Sequence, residues 1–86
     1  GIAQGIEKGM EKGLEKGIQK GRELGRKEGA LETLRAVLLD LLSTRFGAAA
    51  ADTAAPRILQ IDSIETLRSL THRALTAASL AELELP

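Results

Sequence analysis

The chain has 86 residues, enough for one small domain or one helix with a cap, and short for an enzyme domain. Twelve Lys/Arg balance twelve Asp/Glu, so no net field draws it onto nucleic acid or an anionic membrane. With no cysteine, one histidine (His72) and one aromatic residue (Phe46), disulfides, thiolate chemistry, a histidine-rich zinc site and base stacking drop out.

No run of about 18 apolar residues is present, so no membrane span is expected. The sequence begins at Gly1 without a basic stretch followed by an apolar one, so we expect no signal peptide, a cytoplasmic setting, and a fragment of something longer.

Gly1, Gly5, Gly9, Gly13, Gly17, Gly21, Gly25 and Gly29 recur at strict intervals of four, which accounts for eight of the nine glycines. The unit between them reads glycine, apolar, Glu, Lys, as in Gly5-Ile6-Glu7-Lys8 and Gly13-Leu14-Glu15-Lys16. Collagen needs glycine every third residue and flexible linkers lack regular Ile, Met and Leu, so a helix is the remaining home for this period. Four residues turn a helix by about 400°, so each ribbon drifts by about 40° per unit. Around the axis the ribbons run Lys, Gly, apolar, Glu. A ridge of Ile2, Ile6, Met10, Leu14 and Ile18 then lies beside a glycine groove. A repeat longer than 3.6 residues drifts in the right-handed sense, so partner helices should cross or wrap right-handed, with crossing angles near −50°.

A helix carrying this ladder cannot stand alone. Each interior glycine costs about 1 kcal/mol against alanine, roughly 7 kcal/mol in total. Covering five Ile, Leu or Met side chains returns roughly 7 to 15 kcal/mol as an upper bound. We therefore expect a homo-oligomer, dimer or tetramer, through Gly5, Ile6, Gly9, Met10, Gly13, Leu14, Gly17, Ile18 and Gly21. A parallel pair sets Lys flanks against Glu flanks. Packing is expected to favour the antiparallel pair instead, with each Ile, Leu or Met opposite a partner glycine, and because exposed ion pairs are worth only about 0 to 1 kcal/mol, antiparallel is the expectation.

Arg22 and Arg26 take the ridge slot at the end of the ladder, where the interface should end or change character. Beyond Gly29 the spacing of Leu31, Leu34, Leu38, Leu41 and Leu42 continues the helix to Phe46, and Gly47 is placed to stop it. One helix over residues 1–46 would reach roughly 65 to 70 Å. Asp52 is expected to cap a short helix with Pro56 near its first turn. Asp62 with Glu65 three residues later is expected to cap another, and Ser79 with Glu82 a terminal turn. No strand pattern appears. The expected fold is all-α: a glycine-ladder oligomerisation helix (1–29), its Leu-rich continuation (30–47) and a small helical cap (48–86). The expected cap core is Leu34, Leu38, Leu41, Leu42, Phe46, Ile61, Ile64, Leu67, Leu70 and Leu75.

Neither G-x-G-x-x-G nor G-x-x-x-x-G-K-[ST] occurs, so no phosphate cradle is expected. None of the twelve acids has Lys two places on, which removes the metal-binding Asp/Glu-x-Lys signature of a nuclease. No nucleophile or carboxylate constellation surrounds His72 in sequence. Arg35, Asp40 and Arg45 read as the solvated face of the Leu-rich stretch. The Glu ribbon cancels the field of Lys8, Lys12, Lys16 and Lys20, so direct nucleic-acid binding is disfavoured. No catalytic residue, metal site or cofactor is expected.

The repeated Gly-apolar-Glu-Lys units, the run ending Thr44-Arg45-Phe46-Gly47, and Ile64-Glu65-Thr66-Leu67 followed by Arg73-Ala74-Leu75-Thr76-Ala77-Ala78-Ser79-Leu80 carry a resemblance over nearly the whole chain. It resembles the C-terminal tail of the Rpn family, bacterial recombination-promoting nuclease or putative transposase proteins with a PD-(D/E)xK nuclease domain. The resemblance implies a metal-dependent DNA nuclease upstream, with its active site outside this chain, and a non-catalytic tail that assembles it. The alternative it implies is an antitoxin-like regulatory fragment, expressed alone from a start near Met10, that binds and inhibits the full-length nuclease chain.

Overall fold

The computed structural model describes the backbone of residues 2–86 and the side chains of residues 9–86. Gly5 and Ile6, named above for the interface, lie outside the described side chains. Three helices and a turn follow in order: α1 (Ile2–Phe46), α2 (Ala48–Ile58), α3 (Ile64–Thr76) and a short 3-10 turn, η1 (Leu80–Leu83), with no strand among the described residues.

α1 runs unbroken through the glycine ladder for 45 residues. The molecule is accordingly a rod, 69 Å long and 18 by 17 Å across, in line with a helical rise of about 1.5 Å per residue. Gly47 ends α1 at φ 95° and ψ 161°, a backbone conformation essentially confined to glycine. Its N–H donates to the Ser43 carbonyl at 3.0 Å and its own carbonyl accepts from Ala51 at 3.2 Å, so a single residue closes one helix and opens the next.

α2 and α3 both pack on the C-terminal part of α1. Ala51, Ala54 and Ile58, spaced three and four apart, form the buried face of α2, and the two alanines let its backbone approach α1 closely. Asp52 is not a cap, as the sequence suggested, but lies inside α2. The alanines from Ala48 already have the highest helix propensity and Gly47 supplies the turn, so cap and helix start five residues earlier. Pro56 falls in the last turn of α2 rather than its first, and having no N–H it leaves the Asp52 carbonyl without its i+4 donor, at the expense of one helix hydrogen bond. At α3 the cap is Ser63 rather than Asp62: its side chain accepts from the Thr66 N–H at 3.3 Å. Ser79 makes no side-chain cap bond; Glu82 instead accepts from the Ala78 N–H at 2.8 Å.

The core gathers Leu31, Leu38 and Leu42 of α1 with Ile58, Leu67, Leu70, Ala74 and Leu83. Of the expected cap core, Leu38, Leu42, Ile61, Leu67 and Leu70 are buried, and Leu34, Leu41, Phe46 and Ile64 are half-buried against them. Leu75 is not core: it is 55% exposed, because Leu67, Leu70 and Ala74 define the inward stripe of α3 and the next residue is turned about 100° away.

Two arginines fasten the cap. The Arg35 guanidinium donates through Nε (3.0 Å) and Nη2 (2.5 Å) to the Ile61 carbonyl just before α3, and Arg45 donates through Nη1 to the carbonyls of Ala74 and Ala77 at its end. α3 therefore runs parallel to α1. Asp40 and Arg45 are exposed, as expected of that face, although Arg45 also reaches these carbonyls; Arg35 is half-buried and so departs from the expectation.

Candidate self-association surface

Every described side chain from Gly9 to Gly29 is exposed, and burial begins only at Ala30 and Leu31. Along this bare length Met10 is 71% exposed, Leu14 67% and Ile18 48%. These three share one i, i+4 line, so they form a single ridge. Beside it, a Cβ placed on Gly9, Gly13 or Gly17 would meet nothing within 4 Å. The glycines therefore serve no packing role within this one chain, and their groove is open to a neighbouring backbone.

The ridge does not end with the ladder. Counting by four from Met10 passes Leu14 and Ile18, crosses Arg22 and Arg26, and resumes at Ala30, Leu34, Leu38, Leu42 and Phe46. The upper end of this one ribbon is the surface that α2 and α3 cover, where Leu38 and Leu42 have no exposure at all. The lower end has the same geometry and no cover. Arg22 and Arg26 divide the two stretches, a change of character that the sequence signalled without showing that the ribbon continues.

Leu24, 61% exposed, was missed as a surface feature. It lies seven residues before Leu31 and fourteen before Leu38, hence within about 40° of both on the helix, so the buried stripe of the cap extends one step below it. That seven-residue spacing was the signal available in the sequence.

The charged ribbons flank the surface symmetrically. Lys12 and Lys16 are exposed on the glycine side, Glu11 and Glu15 on the ridge side. Elsewhere, His72 is exposed in a shallow apolar notch with Leu34, Arg68, Thr71 and Leu75, with no acid among those neighbours. Among the described residues no group of three or more His, Asp or Glu stands together as a metal-holding cluster, and no helix is long and apolar enough to cross a membrane.

Compared with known protein families, curated proteins and solved structures, the chain matches none.

Proposed function

We propose that the chain is a non-catalytic self-association module, in which the lower half of α1 pairs with the same segment of a second copy and the three-helix cap anchors that segment. The observation that carries the reading is the bare ridge of Met10, Leu14 and Ile18 beside an open glycine groove on a helix without tertiary contacts there. Glycine weakens an isolated helix, so a lone solvated α1 gives no reason for a glycine at every fourth position. Close approach of another backbone gives one. In the Rpn-like reading, the larger protein is a bacterial nuclease or transposase-like enzyme whose chains this module would bring together.

Replacing Gly9, Gly13 and Gly17 together with Leu tests the proposal. The parent chain should sediment and scatter light as an oligomer. The variant should fall to the mass of one chain while keeping the circular dichroism of a helical protein. Equal masses for the two would remove the reading.

A further inference from the structure

We propose that the second copy lies parallel to the first and crosses it near Gly13 and Leu14, the ridge of each chain entering the glycine groove of the other. The inference rests on the self-association reading and adds the partner's orientation to it.

The order of ribbons around α1 decides the matter. With the contact centred between the glycine and apolar ribbons, glycine and then Lys lie to one side, the ridge and then Glu to the other. A two-fold axis along the helices exchanges these sides. The Gly13 groove of one copy then faces the Leu14 ridge of the other, and Lys16, about 110° from the contact direction, shares a rim with Glu11 of the partner, while Lys12 and Glu15 lie about 150° away on the back of the helix. A two-fold axis across the helices keeps each side where it is, setting ridge against ridge, glycine against glycine, and like charges together on both rims. Packing and charge thus agree on the parallel pair. The antiparallel expectation credited the groove-to-ridge match to the wrong arrangement.

The caps permit this. Packing of i, i+4 ridges gives a crossing of about 50°, and Leu31, where the cap begins, lies about 25 Å along the axis from Leu14. The two axes are then about 21 Å apart laterally at that level and still diverging. That is close to the 18 Å breadth of the molecule, which leaves room for the two caps where each lies on the side of its helix away from the partner.

The chain contains no cysteine, so a spin label on Ala36→Cys, an exposed site on α1, reports one distance in the full chain. A parallel crossing at Leu14 gives about 30 Å between labels, and an antiparallel one about 60 Å. The longer distance overturns the inference and leaves self-association standing. A single-chain mass with no intermolecular distance overturns self-association itself. A second measurement uses Glu11→Lys: the parallel pair then sets a positive charge against Lys16 on both rims and should associate about tenfold more weakly, whereas unchanged association contradicts the parallel arrangement.

Discussion

The Arg45 guanidinium donates to the carbonyl oxygen of Ala77 at 2.7 Å, joining the end of α1 to the residue that caps α3, 32 positions further along the chain. The same nitrogen also donates to Ala74, and the guanidinium carbon stands 5.0 Å from the centre of the Phe46 ring. The last carbonyls of a helix lack donors within it and carry the negative end of its dipole, so a cation there satisfies both.

Arg45→Met keeps most of the aliphatic stem and removes the donors. We expect the cap to lose about 1 to 2 kcal/mol in urea unfolding followed by circular dichroism. Arg45→Lys should recover part of the loss, since it restores the charge but only one point of donation. A variant as stable as the parent would show that water serves these carbonyls equally well.

Gly47 offers a second, independent measure. Its φ of 95° with ψ of 161° lies outside the ordinary left-handed region that Asn tolerates, while a Cβ there would touch nothing within 4 Å. The penalty for Gly47→Ala is therefore backbone strain alone, about 1 to 3 kcal/mol, and Gly47→Asn should cost as much. Rescue by Asn in the same unfolding assay would mean that the α1–α2 joint relaxes into a different turn.

The long helix and its stop were legible because the period of four and the single off-period glycine are patterns of the backbone itself. The details of the cap were less so. Asp62 and Ser63 are both cap-competent and adjacent, and the Asp62–Glu65 spacing pointed to the wrong one; only the Ser63 contact with the Thr66 N–H separates them. Ala74 and Leu75 compete for one inward slot, where size favours Leu but the helical angle set by Leu67 and Leu70 selects Ala. The bonds of Arg35 and Arg45 to the carbonyls of a distant segment were not legible, because sequence shows their charge and not those carbonyls. At the candidate surface the ridge could be read directly, whereas its continuation into the cap core was hidden by Arg22 and Arg26.

Gly13→Ala with Gly17→Ala separates intrinsic helix stability from association. Each change favours the helix by about 1 kcal/mol in an isolated chain, and neither Cβ clashes within it. A solitary α1 should therefore become more helical and melt higher. A pair in close contact loses its groove to two methyl groups per chain, so the association constant should fall at least tenfold although the monomer helix improves. Sedimentation and circular dichroism on the same samples resolve the two effects, and a rise in both helicity and association would argue against a tight glycine contact.

Salt distinguishes the two orientations without any substitution. In the parallel pair each rim carries Lys16 against Glu11 of the partner, an attraction that is exposed to solvent and therefore screened. Raising the salt from about 0.05 M to about 0.5 M shortens the Debye length from roughly 14 Å to roughly 4 Å, so association should weaken by about three- to tenfold. The antiparallel pair opposes like charges on both rims and should strengthen under the same change. Because the apolar ridge responds to moderate sodium chloride far less than the rims do, the sign of the effect reports the rims. Dissociation measured by sedimentation equilibrium across that range should therefore rise with salt, and a fall would favour the antiparallel arrangement.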